Sequence, residues 1–416
     1  MRQLLVLLWL AGCLGGVRAW ADADPVKAGY AANDHGDYDG AVGLFGTALQ
    51  NPHLASFDRA LAFDGRGVAY LNLGRLDQAI ADFTQAVQLN PGFDAAFNNR
   101  GGAYQARGDL DGAIADYSQA LRLDNHCRRC LDNRGSAYYA RGDLDHAIAD
   151  FSHALSLNAG DETALLGRGA AFQLAGINDL AITDLNKALG LQPNNPYALN
   201  NRANAWAGKG DYAKAEADFA RSLALLPATA GPQRAQVYRS RGDVRRNEGH
   251  YSQALADYGQ ALQLVPADAD AGRSQALTYL EAGQFAEALA ASNSLLARNP
   301  AQPYVLLWRY LAQVQTHDAA ADRELAQASL QVSVSAWPFP VLAYYQGTIK
   351  AAQLQAATQD HNAGRQQGQQ CEAAAYAGAF ALVHGQPDPA RQMLKEAERI
   401  CPHNYAEYSL ARALAH

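Results

Sequence analysis

The sequence lacks the motifs by which common enzyme classes are recognised. It has no H-E-x-x-H zinc motif, no phosphate-binding glycine loop and no nucleophile elbow around a serine. We therefore expect a protein that is not an enzyme and needs no cofactor. The chain is also not basic: 34 lysines and arginines stand against 41 aspartates and glutamates, a net charge of −7. Nucleic-acid-binding proteins are more often basic, so we expect no nucleic-acid partner.

Long hydrophobic runs and β-branched residues are scarce. The apolar run near the N-terminus, Leu4–Leu10, is far too short to cross a bilayer as a helix. Hydrophobic residues make up 49% of the chain, and alanine and leucine are abundant among them. Because these two residues have high helix propensity, the composition favours an all-helical protein.

The first 21 residues have the features of an export signal. Arg2 precedes the apolar run, and the sequence becomes sharply more polar after Ala21. Cleavage after the small-x-small site Ala19-Trp20-Ala21 would leave a mature chain that starts at Asp22. We therefore interpret residues 1–21 as a signal peptide and expect a periplasmic protein.

A second processing site overlaps the same segment. Leu10-Ala11-Gly12-Cys13 is similar to a bacterial lipobox, which would leave Cys13 lipidated. The alternative to soluble export is therefore a protein anchored to the envelope membrane by a lipid on Cys13. In this interpretation the anchor is the chain's one contact with a membrane.

A repeat of 34 residues organises most of the chain. Residues 94–127 contain two segments of helical periodicity with Gly108-Asp109 between them, and the next 34 residues repeat this pattern. Small residues recur at repeat position 8, glycine at position 15 and aromatic residues at position 24. Fixing this register gives repeats that start near residues 22, 60, 94, 128, 162, 196, 235 and 269. Extra residues precede Ala60 and Ala235, and we interpret 56–59 and 230–234 as loop insertions.

This period and pattern resemble the tetratricopeptide repeat (TPR). The resemblance implies an all-α, right-handed superhelix (an α-solenoid) of about nine to ten helix-turn-helix repeats with a C-terminal capping helix. It also implies a non-enzymatic scaffold that binds a protein or peptide; the alternative to this role is a permanent structural subunit of an envelope assembly. We divide the chain into a signal peptide (1–21), a repeat array (22–302), a degenerate helical repeat with a Trp-Pro linker module (303–370), and a final repeat with the capping helix (371–416).

Six consecutive repeats depart from the usual pattern by carrying arginine at position 7 and aspartate at position 23. Both positions are apolar in the family and both revert together in the repeat from Ala269. We predict that these residues form a ladder of ion pairs, within or between repeats. The alternative is a row of arginines that binds an anionic ligand, which the matching aspartates disfavour. The pairs are Arg66 and Asp82, Arg100 and Asp116, Arg134 and Asp150, Arg168 and Asp184, Arg202 and Asp218, and Arg241 and Asp257.

The resemblance also places ligand-facing residues on the first helix of each repeat, at positions 2, 5, 6, 9 and 12. Here these positions form a polar, amide-rich surface of mixed charge, which suits an extended peptide because amides can bond its backbone. The predicted partner-binding groove comprises Asn98, Asn99, Gln105, Arg129, Asp132, Asn133, Ser136, Tyr139, Gln173, Tyr197, Asn200, Asn201, Asn204, Arg239, Asp243 and Arg246. An ordinary solvated surface is the alternative for any one of them.

The last quarter of the chain carries a narrower resemblance. The order of Trp337-Pro338, Tyr344-Tyr345, Cys371-Glu372-Ala373 and Glu407-Tyr408 is similar to the C-terminal part of NlpI-type envelope lipoproteins. That family consists of TPR adaptors, and the resemblance implies a peptidoglycan hydrolase or a periplasmic protease as partner. In this region we expect residues 359–370 to form a polar loop.

Cysteine is scarce, with five residues, and removal or lipidation of Cys13 leaves four. Cys371 and Cys401 lie at the neighbouring ends of one predicted helix hairpin, so we predict a disulfide between them. Cys127 and Cys130 form a C-x-x-C motif at a helix start. We predict a structural disulfide there as well, and the alternative is a thiol-active or metal-binding site.

Overall fold

The computed structural model describes residues 24–335, 337–401 and 406–415. The predicted signal peptide, Cys13 and the start of the first repeat at Asp22 lie outside these residues. All regular structure in the described part is helical, so the predicted all-α fold is confirmed. None of the described helices has the length and hydrophobicity to cross a membrane.

The described helices form two compact units, one up to Leu191 (unit 1) and one from Gln192 onward (unit 2). Unit 1 contains α1 (Pro25–Asp34), α2 (Tyr38–Gln50), α3 (Ser56–Asn72), α4 (Leu76–Leu89), α5 (Asp94–Arg107), α6 (Leu110–Leu123), α7 (Arg128–Arg141), α8 (Leu144–Leu157), α9 (Glu162–Leu174) and α10 (Asn178–Leu191). Odd-numbered helices are the first helices of repeats and even-numbered helices are the second. Each packs against the helices one or two places along the chain.

Unit 2 begins with the same arrangement and ends with shorter helices. It contains α11 (Pro196–Gly208), α12 (Tyr212–Leu225), α13 (Gly231–Asn247), α14 (Tyr251–Leu264), α15 (Ala269–Glu281), α16 (Phe285–Arg298), α17 (Pro303–Gln315), α18 (Ala321–Ser329), α19 (Phe339–Tyr345), α20 (Ala351–Ala357), α21 (Ala363–Val383), α22 (Pro387–Ile400) and α23 (Ala406–Ala415).

In several repeats the turn between the two helices is specified by a glycine and an aspartate. Gly108 ends α5 with a φ of 87°, a left-handed conformation that glycine adopts without strain. Asp109 then caps α6 by accepting a hydrogen bond from the backbone N–H of Gly112. Gly142, also left-handed, and Asp143, also an N-cap, join α7 to α8 in the same way.

Aromatic side chains at position 24 form the core between helices. Tyr117 and Phe151 are almost completely buried. They fit because the facing first-helix residues are glycines: a Cβ atom on Gly101 would lie 2.7 Å from Tyr117 Cε1. One on Gly135 would lie 3.0 Å from Phe151 Cε1. In these two repeats close packing of the helices therefore depends on the glycine at position 8.

The six arginine–aspartate pairs are bidentate ion pairs within their own repeats. Arg134 Nε donates to Asp150 Oδ2 and Nη2 donates to Asp150 Oδ1, both at 2.8 Å. Its Nη1 donates to Ser118 Oγ of the preceding repeat at 3.0 Å. The remaining pairs repeat the bidentate contact. The predicted ladder is confirmed, and its arginines already have anionic partners.

Three loop predictions are wrong. Residues 56–59 form the first turn of α3, and 231–234 form the first turn of α13. Both segments lengthen a first helix at its N-terminus, and the repeat register after them is unchanged. The expected polar loop 359–370 is helical from Ala363, because α21 starts there and Asn362 caps it by accepting a hydrogen bond from Arg365 N. A polar composition was therefore a poor guide to backbone conformation.

The part of the chain that the structure describes contains two disulfides, Cys371–Cys401 and Cys127–Cys130. The bonded cysteines are 30 residues apart in the first disulfide and 3 residues apart in the second. The first disulfide therefore restricts the unfolded chain more than the second does. Loop-closure entropy gives about 3–4 kcal/mol for the first and about 2 kcal/mol for the second.

We expect Cys371→Ser with Cys401→Ser to destabilise the C-terminal hairpin by about 3 kcal/mol. The paired replacement Cys127→Ser with Cys130→Ser is the matched control and should cost less. Hydrogen exchange of peptides from α21–α22 and from α7 would measure both effects. Equal losses of protection would contradict the entropic argument.

Candidate functional site

The candidate site is the surface formed by repeat positions 2, 5, 6, 9 and 12 of the first helices, which we call the first-helix face. In unit 1 it is built by α3, α5, α7 and α9. Side chains at positions 5 and 6 link these helices directly. Asn99 Nδ2 donates to Asp64 Oδ1 at 2.9 Å, and Asn133 Nδ2 donates to Asn98 Oδ1 at 2.9 Å. We call these contacts the amide ladder.

The amide ladder changes the role of several predicted ligand contacts. Asn98 is buried and accepts from Asn133, so its side chain is not presented to a partner. Asn99 and Asn133 are half-buried, and each uses its amide group to hold a neighbouring repeat. Their contribution to binding would therefore be indirect, through the spacing of the first helices.

The amide ladder stops at Asp132. This residue occupies position 5 of its repeat and is 7% exposed. Position 6 of the next repeat is Gly167, which has no side chain to donate to it. A Cβ atom there would lie 2.4 Å from Phe151 Cζ, which explains the glycine. Asp132 Oδ1 is consequently buried without a hydrogen-bond partner among the described residues.

The two buried aspartates of this face have raised pKa values. Burial raises the pKa of Asp64 to about 6, and the hydrogen bond from Asn99 partly opposes it. For Asp132 burial is again the main cause, the charge of Asp161 adds to it, and the charge of Arg128 opposes it. The resulting pKa of Asp132 is about 7. The carboxylate charge of Asp132 is therefore less well compensated by its surroundings than that of Asp64.

Three predicted groove residues of unit 1 have free polar groups. Arg129 is exposed, and Tyr139 and Gln173 are half-buried. Within the part of the chain that the structure describes, none of their side-chain polar atoms makes a hydrogen bond. Ser136 and Gln105 differ, because Ser136 Oγ donates to Asp132 O and Gln105 Oε1 accepts from Tyr117 Oη.

In unit 2 the predicted groove residues of α11 resemble those of unit 1. Tyr197 is 48% exposed, and Asn201 and Asn204 are half-buried. Asn200 is buried, and its Oδ1 has no hydrogen-bond partner among the described residues. Tyr197, Asn201 and Asn204 are thus the accessible groups on this helix.

The predicted groove residues of α13 are occupied by internal contacts. Arg239 Nη1 lies 3.2 Å from Asp268 Oδ1 and 2.8 Å from Asp270 Oδ2. Asp243 Oδ1 accepts hydrogen bonds from Tyr258 Oη and Ser274 Oγ. Arg246 is buried, with its Nε 3.9 Å from Glu281 Oε2.

The last helix explains the burial of Arg246. α23 packs against α21 and α22 and also against α13 and α15, far back along the chain. Ser409 Oγ donates to Glu281 Oε1, and Arg412 Nη1 donates to Asn247 O at 3.1 Å. The prediction that Arg246 lines an open groove is therefore wrong, because α23 lies over this part of the first-helix layer.

The cysteine pair at the start of α7 is joined as a disulfide, with Cys127 as the N-cap residue of the helix. Cys130 is completely buried, and its N–H donates to Cys127 Sγ. Among the described residues, no group of three side chains of the metal-binding types is close enough to hold an ion. The structural role of this disulfide stays a prediction.

Stacked helix hairpins with a polar first-helix face define an α-solenoid scaffold. A tetratricopeptide repeat model matches residues 65–126, 133–196 and 239–303, and a second such model matches 196–229. These matches cover more than half of the chain, so it belongs to the tetratricopeptide repeat family. Proteins of this family are in general non-catalytic and mediate protein–protein interactions.

Solved structures agree with this fold. A tetratricopeptide repeat protein from Parabacteroides merdae is 21% identical, with a TM-score of 0.50, over 61% of this chain and 97% of its own. The Cut9-Hcn1 hetero-tetramer of the APC/C gives 19% identity and a TM-score of 0.53, over 66% of this chain and 52% of the matched chain. No curated protein matches the chain. The NlpI-type resemblance of the last quarter stays a prediction.

Proposed function

We propose that the protein is a non-enzymatic scaffold of the bacterial envelope that binds an extended segment of a partner protein on the first-helix face of α7 and α9. The observation that carries this proposal is the set of free polar groups on these two helices. Arg129, Tyr139 and Gln173 combine a charge, an aromatic ring and an amide without internal hydrogen-bond partners among the described residues. An extended backbone can pair with such an amide, and a ring offers apolar contact.

The packing of unit 1 supports access to this face. Each described helix of unit 1 packs only against helices one or two places away in sequence, so none lies over α7 and α9 within the unit. In unit 2, by contrast, α23 packs on α13 and α15. The first-helix face of unit 1 is therefore the better candidate for a partner.

The envelope location and the partner class rest on the sequence. A predicted export signal and two disulfides suit an oxidising compartment. The C-terminal resemblance to NlpI-type adaptors favours a peptidoglycan hydrolase or a periplasmic protease as partner. Scaffolds of this kind act by raising the local concentration of an enzyme near its substrate.

The test is affinity capture from a cross-linked envelope fraction of the native host. We expect Tyr139→Ala with Gln173→Ala to lower recovery of the bound proteins at least about tenfold, because two central contacts are lost. His153→Ala, an exposed residue on the second helix α8, is the matched control and should not change recovery.

Equal recovery by the Tyr139/Gln173 variant and the wild type would contradict the assignment of the face. Recovery of proteins other than hydrolases or proteases, still sensitive to this variant, would retain the scaffold and overturn the adaptor role. Circular dichroism of each variant would show that its helices are intact.

A further inference from the structure

We infer that the turn between α9 and α10 is a docking surface for an aliphatic and basic part of the bound protein segment. The surface consists of Leu174, Ala175, Ile177 and Leu180, which we call the apolar rim, together with Asp145 of the preceding repeat. This inference deepens the proposed function and rests on it, because it states which side chains the partner must carry.

The apolar rim is exposed to solvent. Leu174, Ile177 and Leu180 are 53%, 43% and 48% exposed, and Ala175 between them is exposed as well. Exposed apolar side chains that occur singly are common on protein surfaces and need no explanation. Three large ones on a single turn form a patch, and such patches are typical of interaction sites.

Neighbouring repeats lack this patch. At the position of Ile177 they have Arg75, Asp109, Asp143, Asp211 and His250, and at the position of Leu180 they have Gln78, Gly112, His146, Lys214 and Gln253. Asp143 and Asp211 accept a backbone hydrogen bond there as N-caps of their second helices. An isoleucine side chain has no acceptor, so this repeat gives up a stabilising contact. Retention of an apolar residue at a cost in local stability favours a role in binding.

An acid without an ion-pair partner adjoins the apolar rim. Arg141 Nη1, at repeat position 14, lies 3.0 Å from Asp111 Oδ1 of the preceding repeat, and the repeat before it has the same contact. The next pair of positions is occupied by Ala175 and Asp145. Since α9 packs on α8 as α7 packs on α6, Ala175 stands where an arginine would reach Asp145. Asp145 is exposed and has no ion pair among the described residues, so a partner's lysine or arginine can replace the missing arginine.

The location of the apolar rim favours the bound segment over a second copy of the chain as its occupant. Leu174 directly follows Gln173 on α9, so the rim continues the face that we propose binds the partner. A stable dimer needs roughly 20–30 residues from each side, far more than the rim supplies. Two copies joined through their rims would also bring two Asp145 carboxylates toward each other, which is unfavourable.

The two kinds of contact would have different roles. Burial of aliphatic side chains against the rim removes apolar surface from water and would supply most of the affinity. An exposed ion pair with Asp145 is weak and is screened by salt, but it would favour one register of the segment. The partner should therefore carry aliphatic residues with a basic residue at a fixed distance from them.

The test uses a variant, the rim-exchange variant, in which the apolar rim takes the residues of the preceding repeat. Its four replacements, which copy residues 140–146, are Leu174→Ala, Ala175→Arg, Ile177→Asp and Leu180→His. Because this turn already exists in the protein, the variant should fold. The regained N-cap and ion pair should also increase the protection of α9 and α10 from hydrogen exchange.

The binding probe is a random dodecapeptide phage library panned against the mature protein. We expect peptides enriched by the wild type to carry aliphatic residues and a lysine or arginine at a fixed spacing. Synthetic copies of one enriched peptide should bind the rim-exchange variant at least about tenfold more weakly than the wild type. Weaker binding by a protein that is at least as stable would exclude misfolding as the cause.

Ala175→Arg alone tests the charge. It restores a partner for Asp145 without removing a large apolar side chain, and it should weaken binding of the peptide about two- to fivefold. Replacement of the peptide's cation by methionine should weaken binding to the wild type and not to Ala175→Arg. Ala106→Arg adds the same charge at an exposed position of α5, and this matched control should bind as the wild type does.

Three results would overturn the inference. Equal affinity of the rim-exchange variant and the wild type would exclude the rim, and the proposed function would survive if Tyr139→Ala with Gln173→Ala still weakened binding. A wild-type dimer that becomes a monomer in the rim-exchange variant, with peptide binding unchanged, would assign the rim to self-association. If the wild type enriches no peptide, the proposed peptide binding and this inference fail together.

Discussion

Asp150→Ala is expected to lower the free energy of unfolding around α7 and α8 by about 2–4 kcal/mol, because it leaves Arg134 without its carboxylate. The two side chains are 22% and 9% exposed, so water can replace the lost partner only in part. The arginine would keep its bond to Ser118, which cannot balance its charge. Four of the other five pairs should respond similarly, whereas Asp257 also accepts a hydrogen bond from Arg245 and its loss would affect two arginines.

The control for this prediction is Asp145→Ala in the first turn of α8, where the side chain is exposed. It removes the same charge from the same helix and should change stability by less than about 0.5 kcal/mol. The double replacement Arg134→Leu with Asp150→Leu should recover most of the loss, because an apolar contact at this position is compatible with the fold.

Hydrogen exchange of peptides from α7 and α8 is the suitable measurement. A repeat array can open locally, so a single melting temperature would average over many hairpins. If Asp150→Ala loses no more protection than Asp145→Ala, the ion-pair ladder does not stabilise the array and the arginines have to be explained differently.

Gly101→Ala and Gly102→Ala are expected to change stability in opposite directions although they are neighbours on α5. A Cβ atom on Gly101 would lie 2.7 Å from Tyr117 Cε1 and 3.2 Å from the backbone oxygen of Ala113. Since Tyr117 is almost completely buried, the ring has little room to move, and overpacking should cost about 1–3 kcal/mol.

At Gly102 a Cβ atom would meet only Tyr117 Oη, at 3.8 Å, which is an ordinary contact. Alanine there should stabilise the helix by about 0.5–1 kcal/mol, because glycine has the poorer helix propensity. Hydrogen exchange of α5 and α6 peptides would show the loss of stability in Gly101→Ala and the gain in Gly102→Ala. Stabilisation by Gly101→Ala would show that α5 and α6 can separate without loss, against the close packing described above.

Much of the repeat array could be predicted because each feature has a local cause that recurs every 34 residues. Gly108 and Asp109 specify a turn, and the buried ring of Tyr117 requires a small residue at the facing position of the first helix. The ion pairs were predictable for the same reason, since arginine and aspartate change together from repeat to repeat. Comparison between repeats thus supplied information that one segment alone lacks.

The candidate site was less predictable because it depends on contacts between distant segments. The burial of Arg246 results from α23, which follows it by more than 150 residues and has no counterpart in the repeat. The pairing of Asn133 with Asn98 joins equivalent positions in successive repeats, and the repeat pattern could have suggested it. The unpartnered state of Asp132 became visible only when Gly167 was placed beside it.

The most direct test of the central claim is site-specific photo-crosslinking in the native host. A photoreactive phenylalanine analogue would replace Tyr139 on the first-helix face, and in a separate strain His153 on the second helix α8. We expect a partner protein to be cross-linked from position 139 and not from position 153. Cross-linking from position 153 alone, or no product from either position, would contradict the claim that this protein binds partners on its first-helix face.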